Sequence, residues 1–564
     1  MKGLQVKSGG ERRRAAVLIG LAALGLAAGV FLAGFRFDDN DYFFRLSKSI
    51  EILGRVYKEV AVNYVDEIEP EKLGEAGIDG LLGSLDPYTN FIGEAEGDEV
   101  ELITSGKYGG VGVSIGVRDG FITILSVMEG YSAQRSGLLP GDRLLEVDGK
   151  PVTGNRPSDV RAMTRGEVGT ELHIKVDREG EPEPLTFVVV REEIQLKNIT
   201  YADCIGGGIA YVKLERFSRS AGDELRLAIR DLRLRDTIRG FILDLRDNPG
   251  GLLDAAVEVV EKFVPRGSLI VSTRGRKPDS EKKYVSTEEP MLPEVPMVVL
   301  VNKGSASASE IVAGAIQDLD RGVIAGTRSF GKGLVQTIVP IAYNTQLKIT
   351  TAKYYTPSGR CIQEIDYAHR DSDGAAGVIP DSLRREFRTP KGRIVYESGG
   401  IMPDILVEAG EPGLLQRELL RRAMYVKFAA RYFSEHKTGG ALPLDHLLLE
   451  EFKGFLAAQK FTWENEAEKK LGELEEIALK SDPSPAVIDE LAKLKGSLQE
   501  AKKEEIGRNW DEVLRSIKME LMSRQAGEAA RIAASIENDD QFDAALGILS
   551  STRIYSRLLI TDLH

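Results

Sequence analysis

Cysteine is nearly absent from this chain of 564 residues, with only Cys204 and Cys361. Two cysteines supply neither a disulfide framework nor a metal cluster, and each reads as a small, buried packing residue. Histidine is scarce too: His173, His369, His436, His446 and His564 show no metal-ligand spacing. His173 falls in a predicted strand, His369 in a polar stretch and the other three in the last third, which leaves a histidine-based catalytic triad without support. Positive charge is in deficit: 74 lysines and arginines against 87 aspartates and glutamates give a net charge of -13. That balance argues against nucleic acid as a partner, because phosphate binding needs a basic face. No internal repeat is present. The hydrophobic fraction of 42% is ordinary, so sizeable cores can form, and the length implies several domains.

The amino end differs from the rest. Lys2, Lys7, Arg12, Arg13 and Arg14 precede an uncharged run over residues 15–35. About 20 apolar residues cross a bilayer as a helix, and flanking positive charge favours a cytoplasmic amino end. The expectation is a cytoplasmic tail over 1–14 and an uncleaved single-pass anchor over 15–35, with the bulk in the periplasm or another extracytoplasmic space. A cleaved signal segment and secretion to the periplasm is the alternative, left open by Ala27, Ala28 and Gly29.

A helical region is expected over 36–101. Leu46, Ile50, Leu53, Tyr57, Val60 and Tyr64 follow steps of four and three and line one helix face. That face either packs on the same chain or forms a self-association seam. A second helix is expected near 71–85, stopped by Asp86-Pro87. Residues 102–192 read as a small β-rich domain, with strands at 111–117, 121–127, 143–147, 171–176 and 187–190 and a short helix at 157–164. Its glycine-rich entry, Gly109-Gly110-Val111-Gly112-Val113, and the turn Pro140-Gly141-Asp142 resemble a PDZ domain. The resemblance implies that the loop's N–H groups take a peptide's terminal carboxylate while the peptide adds as a strand to a sheet edge.

From 193 to 410, apolar strands alternate with helices: strands at 209–214, 241–245 and 298–301, helices at 221–235, 252–264 and 307–317. Such alternation implies a largely parallel, covered sheet. The charged, proline-rich stretch 266–296 reads as a loop with a short strand. From 411 to 564 the pattern is helical and highly charged, broken at Asp482-Pro483-Ser484-Pro485. It is either a solvated appendage or a surface for a partner.

Active sites of open parallel sheets form where loops leave the carboxyl ends of strands. Two such loops are conspicuous here. One is Arg246-Asp247-Asn248-Pro249-Gly250-Gly251, and the other is the alternating run Gly304-Ser305-Ala306-Ser307-Ala308-Ser309. Each precedes a predicted helix, whose free N–H groups can stabilise an oxyanion. Gly250 or Gly251 is one candidate donor and Ala308 the second. Ser305, Ser307 and Ser309 are alternative nucleophiles, or simply helix caps. Lys332 and Gln336 are four apart, which in a strand places them on one face, so the Gln336 amide can hold the lysine amine. A buried lysine loses pKa and can act as the base that activates a serine.

The joint pattern resembles the carboxyl-terminal processing, or tail-specific, proteases. The resemblance covers about residues 42–407 and includes Leu85-Asp86-Pro87, the PDZ motifs, residues 244–251 and 305–310, Phe330-Gly331-Lys332-Gly333, Gln336, residues 355–360 and residues 399–404. It implies Ser307 as nucleophile, Lys332 as general base and Gln336 as its orienting residue. It further implies a crotonase-like protease core preceded by the inserted PDZ domain, in an α/β multidomain chain with helical ends. Arg165 matches an arginine that gates the site in some members. No cofactor is implied. The implied partners are peptides or proteins with free carboxyl ends, an adaptor protein and further copies of the chain. The expected function is a serine endopeptidase cutting envelope proteins near their carboxyl ends. The alternative is an inactive PDZ scaffold that binds peptides. An acyl-CoA enzyme on the same sheet pattern finds no basic or adenine-directed feature to support it.

Overall fold

The computed structural model describes residues 40–94, 101–102, 104–178, 180–370, 376–408, 410, 412–436, 442–481 and 484–560. They divide into two units, one ending at Ser84 and one beginning at Leu85. In the first unit the described chain is a pair of helices, Asn40–Asn63 and Pro70–Leu82. Proline suits the start of a helix, where its missing N–H would find no partner anyway. The Tyr57 hydroxyl donates to Pro70 O at 2.7 Å and ties the two helices. The second helix stops short of the expected 85: the Gly83 N–H closes the last turn on Asp79 O. Leu46, Ile50 and Leu53 on the first helix are exposed.

Among the described residues no helix is long and apolar enough to cross a membrane. This corrects the expectation of a single-pass membrane protein. The run at 15–35, from which that expectation was drawn, lies outside the described residues.

The second unit is built around a six-stranded sheet in the order Ile199–Cys204, Ile209–Leu214, Gly240–Asp244, Met297–Val301, Val323–Gly326, Ile405–Leu406. The first pair is antiparallel and all the others are parallel. Alternate residues take opposite faces. Val212, Leu214, Phe241, Leu243, Val299 and Val301 share a core with the helices Ala221–Arg235, Leu253–Glu261 and Ala308–Asp318. On the other face Tyr211, Ile242, Val298, Leu300 and Val323 meet Ile532, Phe542, Ala545, Ile548 and Tyr555. Both faces of the central strands are covered, which is why Met297–Val301 is apolar and buried at every position.

That second layer comes from the carboxyl-terminal helices. The extension therefore does more than hang in solvent: its last helices, Asp540–Leu549 and Thr552–Leu558, complete the sandwich. Each large side chain buried there is worth about 1.5–3 kcal/mol. An earlier part of the extension has its own core of Leu415, Leu419, Tyr425, Phe428, Phe452 and Ile517. Polar contacts fix the joint. Arg246, at the end of the Gly240–Asp244 strand, donates to Asp539 Oδ2 at 2.7 Å and to Asp244 Oδ2 at 2.7 Å. Asp539 caps the Asp540–Leu549 helix.

A second sheet carries Asn90–Ile92, Gln346–Tyr355, Leu269–Gly275 and Lys282–Val285, and Leu334–Pro340 pairs with Gln346–Tyr355. The stretch expected as a loop with one strand thus holds two paired strands. The PDZ region forms a sheet in the order Val113–Arg118, Phe121–Val127, Arg143–Val147, Glu171–Asp177, Leu185–Val190, over a core of Val111, Ile124, Leu144, Val160 and Ile174. Val113–Arg118 is an edge strand beside the helix Pro157–Thr164. The glycine-rich entry does not run straight into it. Lys107–Gly110 pairs with Glu192–Gln195 instead, and Gly112, at φ +83°, turns the chain into the edge strand. The domain touches the extension through a Lys427–Asp119 ion pair at 2.8 Å and through Arg524, which donates to Pro140 O at 2.6 Å.

Candidate active site

The strand Met297–Val301 leaves the sheet into a tight turn that ends at Ser307, directly before the helix Ala308–Asp318. The two flanking serines are used up by this turn. Ser305 Oγ donates to Leu245 O at 2.8 Å and accepts from Asn302 N at 2.9 Å, while Ser309 Oγ donates to Asn248 O at 2.9 Å. Both are fully buried. Ser307 is partly exposed, and its hydroxyl makes no hydrogen bond among the described residues. Its backbone is held at φ 56°, ψ -111°, a conformation that a residue with a side chain rarely takes. Strain of this kind persists only where surrounding bonds enforce it.

The neighbouring loop supplies that enforcement. Asn248 O accepts from Ala306 N at 3.0 Å, and the Asn248 amide donates to Leu214 O at 2.7 Å. Gly250 lies so close to the serine turn that a Cβ there would stand 2.6 Å from Ala306 O, 2.9 Å from Ala308 N and 3.0 Å from Ser307 Cβ. Its own N–H is taken by Asn248 Oδ1 at 2.9 Å. Of the expected oxyanion donors, the N–H groups of Gly251 and Ala308 have no protein acceptor among the described residues. Gly251 is set by a bridge to Phe217.

Glu310, three residues after the serine, is the group that sequence reasoning passed over. It is fully buried and accepts from Ser307 N at 2.8 Å, Ser329 Oγ at 2.6 Å, Gly331 N at 2.7 Å and Lys332 N at 2.9 Å. One carboxylate therefore joins the serine turn to the lysine turn. A signal existed: an acidic residue three positions after a serine at a helix start commonly bonds back to the backbone. Tyr354 makes a second tie, its buried hydroxyl donating to Lys332 O at 2.6 Å with Ser307 O at 3.2 Å.

Lys332 sits in the turn before the strand Leu334–Pro340, not in the strand. The register also shifts between Val335 and Gln336. A bulge breaks the two-residue alternation, so spacing of four does not bring the two side chains together. The Gln336 amide donates to Thr350 Oγ1 at 3.2 Å, and the Lys332 amine makes no hydrogen bond to either Gln336 or Ser307. It lies over the Tyr88 ring, 4.2 Å from the centroid. Burial pushes the Lys332 ammonium down to about 8, helped by Lys348 and opposed by Glu310 and Asp86. Burial likewise pushes Glu310 up to about 7, against the four hydrogen bonds that favour its ionised form.

The PDZ residues stand apart from this cluster. Val111 is buried in the domain core, and Gly112 O and Val111 O accept from Met128 N and Ala133 N. Gly109 and Gly110 belong to the separate ladder, and Val113 opens the edge strand. A Cβ on Gly109 would stand 2.1 Å from Gly166 O. The preceding residue, Arg165, stacks its guanidinium over the Tyr108 ring at 5.0 Å.

Three stretches of the chain match known families. Residues 208–382 match peptidase family S41, residues 123–178 match the PDZ domain, and residues 415–549 match a probable PDZ-protease C-terminal helical domain. The carboxy-terminal-processing protease of Bartonella bacilliformis is 39% identical over 337 residues, which is 59% of this chain and 74% of that protein. The chain belongs to the carboxy-terminal-processing proteases, serine peptidases of family S41. The carboxy-terminal processing protease CtpB of Bacillus subtilis is 31% identical over 320 residues, 56% of this chain and 66% of that one. Among solved structures, the photosystem II D1 C-terminal processing protease is 26% identical, covering 64% of this chain and 88% of that chain at a TM-score of 0.37. This S41 protease thus combines the peptidase fold, a PDZ domain and a helical carboxyl-terminal region in one mixed α/β chain.

Proposed function

We propose that this S41 protease is an endopeptidase in which Ser307 attacks, Lys332 is the general base and Gln336 orients the lysine. The observation that carries the reading is the state of the three serines: two hydroxyls are buried and bonded, and only that of Ser307 is free. In the first step the neutral lysine amine takes the Ser307 proton as Oγ adds to the substrate carbonyl. The N–H groups of Gly251 and Ala308 receive the oxyanion. The lysine then returns the proton to the leaving amine, the C–N bond breaks, and water releases the acyl group by the same route in reverse. A low lysine pKa serves both transfers, because the amine is then available as a base near neutral pH. Since Lys332 rests on Tyr88, its amine must swing to the serine before the first transfer.

The order of parallel strands and covering helices supports a crotonase-like core over 193–410. The edge strand Val113–Arg118 beside the helix Pro157–Thr164 supports a PDZ domain over 102–192 that takes the substrate's free carboxyl end by strand addition. The loop Gly109 to Val113 would hold the terminal carboxylate, and Arg165, adjoining Gly109 through Gly166, would couple that loop to the site. The helices Asn40–Asn63 and Pro70–Leu82 support a helical region over 36–101, and the helices from Leu414 to Leu558 support a helical extension over 411–564. The exposed apolar face of Asn40–Asn63 supports a homo-oligomer, which sedimentation of the full chain checks.

The test is cleavage of an unstructured carboxyl-terminal tail. Ser307→Ala and Lys332→Ala are each expected to abolish it, with Ser305→Ala and Ser309→Ala retaining some. Normal cleavage by Ser307→Ala overturns the assignment. Tight peptide binding by the wild type without any cutting marks a scaffold. Capture on the Ser307→Ala form reports substrates and any adaptor together.

A further inference from the structure

Lys332 is the one group whose position the proposed chemistry requires to change, and the structure shows what it leaves. Among the described residues its amine donates no hydrogen bond and pairs with no carboxylate. Its side-chain neighbour is the face of Tyr88, 4.2 Å from ammonium to ring centroid. A cation over a tyrosine ring is attracted by the ring's negative face, more strongly when both are shielded from water. Tyr88 is itself held firmly. Its N–H donates to Asp86 Oδ1 at 2.9 Å, and Asp86 also accepts from Thr350 Oγ1 at 3.1 Å and Thr89 Oγ1 at 3.0 Å. Asn90–Ile92 then pairs antiparallel with Gln346 to Lys348. The ring meets Tyr367 edge-on, with centroids 6.1 Å apart.

The same few residues hold the lysine's intended partner. Thr350, which anchors Asp86 and Thr89, also accepts from the Gln336 amide at 3.2 Å. One short segment, from Leu85 to Ile92, thus touches both Lys332 and the anchor of Gln336.

We propose that Tyr88 is a positioning residue that parks the Lys332 ammonium on its ring, off Ser307, so that the base is released only when the Leu85 to Ile92 segment shifts. The inference rests on the reading of Lys332 as general base. It adds that the resting enzyme stores its base as a ring-bound cation. The other charged groups facing the amine are Glu310 from the serine helix, Lys348 from the neighbouring strand and Asp86 from the segment itself, and the backbone of Lys332 is fixed by Tyr354. None of these changes when the ring alone is altered.

The experiment reads the lysine directly. The full chain in its Ser307→Ala form, with isotopically labelled lysine, is titrated by NMR, once with Tyr88 and once as Tyr88→Leu. Loss of the ring is expected to lower the Lys332 pKa by about one unit, a roughly tenfold shift toward the neutral amine, and Tyr88→Phe is expected to hold it. In the chain with Ser307 intact, Tyr88→Leu is expected to raise the cleavage rate at pH 6–7 by a similar factor of about ten. Should Tyr88→Leu fail to fold, phenylalanine carrying one to four ring fluorines at position 88 keeps the shape and weakens the cation's attraction stepwise, and the lysine pKa should fall stepwise with it. An unchanged or raised lysine pKa in these variants overturns the proposal. Cleavage that survives Lys332→Ala overturns the base assignment instead, and the two failures are separately visible.

Discussion

The backbone N–H groups of Ser307 and Lys332 donate to the same oxygen, Oε2 of Glu310, at 2.8 and 2.9 Å. The serine turn and the lysine turn come from different parts of the chain, and this carboxylate bridges them. Its other oxygen takes Ser329 Oγ and Gly331 N. Among the described residues these four donors have no other acceptor.

Replacing Glu310 by glutamine puts an NH2 group among those donors. Glu310→Gln is expected to lose most cleavage activity and about 1–3 kcal/mol of stability, the cost of leaving buried donors unpaired. Denaturant unfolding and tail cleavage measure the two effects. Wild-type activity in a folded Glu310→Gln protein would show that cleavage does not need the carboxylate bridge. The pH dependence has a definite sign. Glu310 has a pKa raised from the ordinary 4.5 to about 7, so the folded state holds a proton that the unfolded chain releases. The associated stability is present below about 4.5 and is lost as pH rises through about 7. The difference in unfolding free energy between wild type and Glu310→Gln should change across that window and flatten above it.

Activity should follow Lys332. With its pKa lowered from 10.5 to about 8, the amine is mostly charged at neutral pH and becomes a base as pH rises. Cleavage under limiting substrate should climb nearly tenfold per pH unit below about 8 and level off above it. A limb near 10.5 would mean that the lysine is solvated in the working enzyme. Salt should move this limb little, because the shift comes from burial first.

Gly250 is predicted to tolerate no side chain. It sits at φ +99°, and any Cβ would press on Ala306 O, Ala308 N and Ser307 Cβ. Gly250→Ala should displace the serine and an oxyanion donor together, and lower the rate by about a hundredfold or more, as loss of an oxyanion-hole donor does. Labelling of Ser307 by a serine-directed phosphonate should fall in step. Full labelling with slow peptide cleavage would place the damage elsewhere.

Much of this site is legible in the sequence, for a local reason. Apolar runs such as 297–301 leading through glycine and serine into a helix announce a strand, its exit loop and a helix start within a dozen residues. The glycine-containing loop at 246–251 reads in the same way. What sequence does not show is pairing. The relation of Lys332 to Gln336 depends on a bulge that forms only against the Gln346–Tyr355 strand. Asn90–Ile92, which carries Tyr88 to the lysine, is a three-residue strand with no pattern of its own. The unbroken apolar run Met297–Val301 shows that both faces of its strand are covered, and leaves open that the cover for one of them comes from residues beyond 530.

That cover yields the last prediction. Asp539 accepts from Gln541 N at 3.0 Å and Phe542 N at 3.1 Å, and it binds Arg246 Nη1 at 2.7 Å. It therefore caps the helix that lies on the sheet and pins that helix to the loop that follows the Gly240–Asp244 strand. Asp539→Ala removes the cap and leaves Arg246 with Asp244 and Gln541 only, for an expected loss of about 1–3 kcal/mol. Asp539→Asn keeps the cap, loses the charge pairing and should fall between. Removing residues 540–560 goes further, because it uncovers Tyr211, Ile242, Val298 and Leu300 on a face that water does not otherwise reach. An apolar patch of that kind drives association, so the shortened chain should aggregate or bind a hydrophobic dye strongly. If it stayed monodisperse and cut its substrate at the normal rate, the helices would be an appendage and the sheet would have some other cover.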